Sequence, residues 1–145
     1  MSNTRKIRYI ESLAVSLIAL WLLLTEDFAA WQNADIFFGV TEGYVWLGST
    51  NAFPFAQIVI LPLAACLGYI IYVSYRGYSE NDTPEPLLKK VNRVIKIELE
   101  ITLIAALLFA IIARNADWWW FGAGFYGSLV GGIANFWIYR QLSKV

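Results

Sequence analysis

The sequence lacks the residue types on which most catalytic and metal sites depend: it has no histidine, one cysteine and one methionine. Without histidine, this chain alone cannot form a Ser-His-Asp or Cys-His nucleophile arrangement, or the histidine ligand sets of zinc, copper and haem sites. The single cysteine, Cys66, excludes an internal disulfide and a multi-cysteine metal centre. We therefore predict no catalytic residues, no metal and no cofactor. These absences favour a non-enzymatic protein, with a membrane enzyme that uses carboxylates alone as the remaining alternative.

Charge is also scarce, at 15% of residues, and the net charge is zero. No long run of lysine or arginine is present, so we predict no nucleic-acid partner. By contrast, 59% of the residues are hydrophobic and the mean hydropathy is +0.54, above the usual range for a soluble domain. This composition predicts an integral protein of a plasma or inner membrane, with lipids and other membrane helices as its partners.

Long apolar segments divide the chain into four predicted membrane spans, at about 7–24, 53–75, 94–113 and 118–139. The second and fourth are free of charge and long enough to cross a hydrocarbon core of roughly 30 Å as helices. The first and third reach that length only if they include Glu11, and Glu98 and Glu100, respectively. The predicted fold is an all-α, four-helix membrane bundle, with residues 1–145 forming a single domain.

The basic residues predict the orientation of this bundle. Every lysine and arginine except Arg114 falls in residues 5–8 around the start of the first span, in residues 76–96 around the loop between the second and third spans, or after the fourth span. By the positive-inside rule, both termini and loop 76–93 are cytoplasmic. In that loop, Thr83 is expected to cap the third helix and Pro84 to occupy its first position.

The first extracellular loop is rich in aromatic residues. They are Phe28, Trp31, Phe37, Phe38, Tyr44, Trp46 and Phe53. One interpretation is an aromatic belt on the membrane surface, and the other is a structured gate or docking surface. Gly39, Gly43 and Gly48 would allow sharp turns in either case.

The segment WWWFGAGFYGSLVGG, residues 118–132, contains the G-x-G-x-x-G spacing of a dinucleotide-binding turn. That turn requires a preceding strand and a βαβ unit, neither of which is expected here. On a helix, small residues instead form one stripe against which another helix packs: Gly124, Gly127, Gly131 and Ala134. The partner helix can belong to this chain or to a second copy. Gly132 is rotated by about 100° from Gly131 and is expected to lie outside this contact.

Three carboxylates lie near the cytoplasmic ends of the predicted spans, where a charge is costly. Glu11 can pair with Arg8, and Glu100 with Lys96, whereas Glu98 has no cation three or four positions away. An inward-facing Glu98 would therefore need an arginine from another helix, a bound cation or a proton.

Other polar residues are predicted at the same depth as these carboxylates. Together they would form a polar pocket open to the cytoplasm, which comprises Glu11, Glu98, Glu100, Ser12, Ser16 and Asn135. The alternative is that the same residues hydrogen-bond between helices and only hold the bundle together.

Two functions are compatible with these features. A non-enzymatic accessory or assembly subunit of a larger membrane complex accounts for the missing catalytic groups and the glycine stripe. A small homo-oligomeric ion or solute channel or transporter accounts for carboxylates near the cytoplasmic entrance. The sequence favours the subunit.

Overall fold

The computed structural model describes residues 2–35, 39–45 and 55–144. The helices are α1 (Asn3–Thr25), α2 (Phe55–Ser79), α3 (Glu85–Ile112), a 3-10 helix (Ala113–Asn115) and α4 (Ala123–Leu142). The strands are β1 (Ala29–Asp35), β2 (Gly39–Val45) and β3 (Trp118–Phe121). The prediction of four long helices in a mostly helical chain is confirmed. The prediction of an all-α chain is wrong, because these strands form a small sheet.

The helices form a bundle in which α1 and α3 each pack against both α2 and α4. The inward face of α3 repeats every three or four residues, as expected for a helix with one buried stripe. This stripe consists of Val91, Ile95, Glu98, Thr102, Ala105 and Phe109. Glu98 and Thr102 are therefore two polar residues in the middle of an otherwise apolar buried stripe.

The sheet lies at the end of the bundle where α1 ends and α4 begins. Its strand order is β2-β1-β3, and both pairings are antiparallel. Trp31 in the central strand lies opposite Gly43 on one side and Trp119 on the other. A side chain at Gly43 would overlap the Trp31 indole, so the absence of a Cβ there lets the ring cover the strand.

The fourth helix begins at Ala123, not at residue 118 as the predicted span required. Trp118–Phe121 are extended and pair with Ala29–Gln32 of β1. Their backbone groups therefore bond to a neighbouring strand instead of a helical turn, and Gly122 is extended just before the helix. From Ala123 to Leu142, α4 has 20 residues, or roughly 30 Å at helical rise.

The aromatic residues between α1 and α2 and around β3 divide between interior and surface. Phe28 is buried, its ring meets that of Phe125 edge-on at 5.5 Å, and Phe125 stacks on Phe121 at 4.3 Å. Trp118 and Trp120 are exposed. The other aromatic and glycine positions expected to shape this loop, Phe37, Phe38, Trp46, Gly48 and Phe53, lie outside the described residues.

The third helix begins one residue later than expected, and Thr83 is not its cap. Pro84 occupies the capping position with extended backbone angles, and no side chain caps the first turn. Pro86 lies in that first turn, where its missing N–H costs no helical hydrogen bond. The Thr83 hydroxyl instead lies 2.7 Å from the Tyr9 hydroxyl of α1.

Candidate functional site: the buried polar side chains

The glycine stripe of α4 lies against α1 and the residues that follow it. Gly124 N donates to the Asp27 carbonyl oxygen at 3.0 Å, and a Cβ on Gly127 would lie 3.0 Å from Leu22 Cδ1. A Cβ on Gly131 would lie 2.8 Å from that of Ala19, so the two helix backbones approach closely at this point. Ala134, the last residue of the stripe, is half-buried. A groove of about 600 Å³ opens between the same two helices.

Gly132 lies outside the stripe that faces α1, as expected, but it takes part in a second helix contact that the sequence did not predict. A Cβ at this position would overlap Oε2 of Glu98, and Leu99 lies alongside. Gly132 therefore faces α3, while Gly127 and Gly131 face α1. Because consecutive residues of a helix point about 100° apart, α4 uses its glycines for contacts with two different neighbours.

One hydrogen-bonded network joins α1, α2 and α4, and we call it the amide network. Asn135 lies at its centre: its Oδ1 accepts from the Ser12 hydroxyl at 2.7 Å, and its Nδ2 donates to Ser16 Oγ at 2.8 Å. The Ser74 hydroxyl of α2 donates to Ser12 Oγ at 2.9 Å and lies 2.6 Å from the Tyr139 hydroxyl. Since Ser74 uses its proton on Ser12, Tyr139 is the donor in the last contact.

All side chains of the amide network are fully buried. The structure thus brings together Ser12, Ser16 and Asn135 of the expected pocket, and adds Ser74 and Tyr139, which the sequence interpretation did not include. Ser74 follows Leu63, Leu67 and Ile70 at the spacing of the buried face of α2. This spacing could have predicted from the sequence that Ser74 points into the bundle.

A second cluster joins α3 to α4, and we call it the carboxyl cluster. Its members are Glu98, Thr102 and Ser128, all fully buried. Ser128 Oγ lies 2.6 Å from Glu98 Oε1 and 2.8 Å from Thr102 Oγ1. The Thr102 hydroxyl also lies 2.8 Å from the main-chain carbonyl oxygen of Glu98. Glu98 Oε2 has no hydrogen-bond partner among the described residues.

The two other carboxylates of the expected pocket lie elsewhere. Glu11 accepts from Arg8 Nη1 at 2.9 Å, and both side chains are partly exposed. Glu100 is exposed, and the ion pairs found in the described part of the chain do not join it to Lys96. The six pocket residues are therefore divided between the amide network, the carboxyl cluster and the protein surface.

The bundle end that holds both chain termini is joined by a set of contacts we call the clasp. Asp82 Oδ1, in the turn between α2 and α3, accepts from Arg5 Nη2 and from the Tyr9 hydroxyl, each at 2.8 Å. Arg5 Nη1 also donates to the Leu142 carbonyl oxygen at 3.0 Å. The clasp therefore connects the first helix, the α2–α3 turn and the end of the last helix. No local sequence pattern indicates the clasp, because its members are far apart in the chain.

Within the described residues, no group of three or more histidine, cysteine, aspartate or glutamate side chains is placed to hold a metal ion. Comparisons of the chain with protein-family models, with curated proteins and with solved structures found no match. Any functional assignment therefore depends on the geometry of this chain.

Proposed function

We propose that this chain spans a membrane with its four helices and acts as a non-enzymatic accessory or assembly subunit of a larger membrane complex. The observation that carries the proposal is the outer surface of the bundle, where every helix exposes large apolar side chains. Examples are Ile18 and Trp21 of α1, Ile58 and Leu61 of α2, Ile104 and Leu107 of α3, and Val130 and Trp137 of α4. Such a surface is unusual for a soluble monomer and fits lipid or partner helices.

Helix length and composition support membrane insertion for two of the four helices. Over the described residues, α1 and the segment Ala56–Ser79 of α2 are long and apolar enough to cross a membrane, while α3 and α4 fall short of the same criterion. We place α3 and α4 in the membrane as well, because they complete the bundle and also expose large apolar side chains on their outer faces. In this placement Glu98 points into the bundle, while the exposed Lys96 and Glu100 lie in the half of the span nearer the α2–α3 turn.

The proposed orientation, with both termini cytoplasmic, draws support from the clasp. Arg5 connects the start of α1, the α2–α3 turn and the end of α4, so the basic segments of the sequence meet at one end of the bundle. The sheet and Arg114 lie at the other end. Positively charged segments are retained on the cytoplasmic side of a membrane.

The bundle interior favours a subunit over a pore through a single bundle. In the amide network, the hydroxyl and amide groups bond to one another across three helices. Side chains satisfied in this way hold helices in register and leave few groups to solvate a passing ion. A channel built from this chain would instead need its pathway between copies.

Purification in mild detergent tests the proposed role. Co-purification of other membrane proteins in a fixed ratio supports the subunit. A symmetric ring of this chain alone would favour the alternative, a homo-oligomeric channel or transporter. A stable monomer would contradict both proposals.

Cysteine accessibility tests the orientation independently. In a Cys66→Ala background, Ser79→Cys and Asn115→Cys place one thiol at each end of the bundle, both at exposed positions. We expect a membrane-impermeant thiol reagent added to intact cells to label Asn115→Cys, and to label Ser79→Cys only after permeabilisation. The reverse pattern would overturn the orientation, and labelling of both in intact cells would contradict a membrane-spanning bundle.

A further inference from the structure

The carboxyl cluster has a hydrogen-bond geometry that requires one more proton than its hydroxyl groups supply. Three short oxygen–oxygen contacts form a chain from Glu98 Oε1 to Ser128 Oγ, then to Thr102 Oγ1, and back to the Glu98 carbonyl oxygen, at 2.6, 2.8 and 2.8 Å. Each contact at these distances needs a hydrogen between its two oxygens. A serine or threonine hydroxyl provides one hydrogen, and a carbonyl oxygen provides none.

The direction of each bond follows from this count. Thr102 must donate to the Glu98 carbonyl oxygen, because that oxygen is only an acceptor. The Ser128 hydroxyl must then donate to Thr102, whose single proton is already used. The remaining contact, between Ser128 and Glu98 Oε1, has a hydrogen only if the carboxyl group itself carries one. With an ionised Glu98, one of the three contacts would join two oxygens with no hydrogen between them.

The groups packed around Glu98 do not compensate a negative charge. The facing segment of α4, from Ser128 to Gly132, has no ionisable residue, and Arg140 of that helix is exposed. On α2, the titratable group near Glu98 is Cys66, which is neutral as a thiol. On α3 itself, Lys96 and Glu100 are exposed, and on α1 the acid Glu11 is partly exposed and paired with Arg8. The ion pairs of the described residues do not include Glu98.

The second carboxyl oxygen is consistent with a neutral group. Glu98 Oε2 lies against Gly132, where a Cβ would overlap it, and no hydrogen-bond donor reaches it in the described part of the chain. A buried carboxylate oxygen without a donor is far more costly than the carbonyl oxygen of a neutral acid. The close approach to Gly132 also allows a weak contact with its Cα–H.

We propose that Glu98, Ser128 and Thr102 form a proton-binding site in the bundle interior, with the proton held on Glu98 Oε1 and donated to Ser128. The ligand is a proton and not a metal cation, because Oε2 faces a glycine backbone instead of a space for an ion. The proposal goes beyond the subunit role and is independent of it. It gives the α3–α4 contact a dependence on protonation that the amide network does not have.

Infrared difference spectroscopy on the full chain in lipid vesicles tests the proposal. We expect the wild-type minus Glu98→Gln spectrum at neutral pH to contain the carbonyl stretch of a protonated carboxyl group. Glutamine should allow folding, because its amide N–H can donate to Ser128 from the same position. Glu11→Gln is the matched control, since it replaces an ion-paired carboxylate and should remove carboxylate bands instead. Loss of carboxylate bands in Glu98→Gln would overturn the proposal.

A second variant keeps the test decisive if Glu98→Gln does not fold. Ser128→Ala removes the acceptor of the proposed proton, so the same carboxyl band should shift to higher frequency as its hydrogen bond is lost. A shift confined to carboxylate bands would overturn the proposal. A carboxyl band that disappears when Na⁺ is added at constant pH would also overturn it, because the site would then belong to a cation.

Discussion

Asp82 and Glu98 both join helices through a carboxyl group, in opposite surroundings. Asp82 Oδ1 accepts from Arg5, from Tyr9 and from the Thr83 N–H, each at 2.8 Å, and its side chain is 46% exposed. Glu98 is fully buried, contacts one hydroxyl through Oε1 and has no partner at Oε2 within the described residues. Asp82 thus has a cation, several donors and water, whereas Glu98 has a single hydroxyl.

The titration of Asp82 reflects these surroundings. Partial burial raises its pKa, but the hydrogen bonds from Arg5, Tyr9 and Thr83, together with the Arg5 charge, outweigh that effect and lower the pKa below 3.8. The same functional group therefore stabilises the bundle end as an anion, while in the interior the hydrogen count at Glu98 calls for a neutral acid. The difference follows from the presence of donors and water, not from the residue type.

The largest loss of stability is expected at Gly132, which is packed tightly against the carboxyl cluster. Gly132→Ala would place a methyl group on Glu98 Oε2, so the buried Glu98 side chain, Leu99 or α3 itself must shift to make room. Overpacking of this kind costs about 1 to 3 kcal/mol of unfolding free energy. The measurement is thermal or denaturant stability of the purified protein in detergent.

Gly68→Ala is the matched control for this substitution. Gly68 also lies inside a helix, but a Cβ there meets nothing within 4 Å. We expect this variant to be about 0.5 to 1 kcal/mol more stable than wild type, because alanine restricts the unfolded chain and favours the helix. Equal effects of the two alanines would show that Glu98 does not pack tightly on Gly132.

The amide network should respond to the loss of its central amide. Asn135→Ala leaves the Ser12 hydroxyl without its acceptor and Ser16 without a donor in the bundle interior. We expect a loss of about 1 to 2 kcal/mol, as is usual for buried groups left without partners. Because its members are neutral, this loss should not vary between pH 5 and pH 9.

Asn92→Ala provides the comparison for Asn135→Ala. The Asn92 amide also makes two hydrogen bonds, both as a donor, to the Leu88 carbonyl oxygen and to Ser143, but near the surface. Water can replace these partners, so we expect a change within about 0.5 kcal/mol. If Asn92→Ala is as damaging as Asn135→Ala, burial is not what makes the network important.

The helices of the fold could be predicted from the sequence, and the sheet could not. Long apolar segments predicted four helices, because hydrophobic length is a local property that composition reveals. Trp118–Phe121 form an apolar run that fits either a strand or the start of a membrane helix. Its pairing with Ala29–Gln32 joins residues that are far apart in the chain, and no local pattern predicts such a contact.

The same distinction between local and distant information applies to the polar residues. The spacing of Val91, Ile95, Glu98 and Thr102 is enough to place Glu98 on the inward face of α3. The identity of its partner, Ser128, depends on how α4 is rotated, and a single sequence does not give that rotation. For this reason Gly132 was correctly expected to lie outside the glycine stripe, but its contact with Glu98 was not predicted.

The smallest effect is expected at the clasp, where Asp82→Asn removes the anion that Arg5 and Tyr9 contact. The lowered pKa of Asp82 means that its contribution is complete above about pH 4 and is lost as the pH falls through the folded-state pKa. At neutral pH, we expect the variant to be less stable by up to about 1 kcal/mol, since the pair is partly exposed and screened. The gap between wild type and variant should close in acid.

Glu80→Gln is the control for this prediction, because it removes a surface carboxylate outside the clasp. Its stability is measured over the same pH range. Glu80 pairs with Arg76 at 2.8 Å one turn away on the same helical segment, and the pair is largely exposed. Pairs of this kind contribute only about 0.3 to 0.5 kcal/mol. We therefore expect Asp82→Asn to be more damaging than Glu80→Gln at pH 7. A gap between wild type and Asp82→Asn that stays unchanged down to the lowest pH at which the protein remains folded would mean that the clasp stabilises through hydrogen bonds that do not need the Asp82 charge.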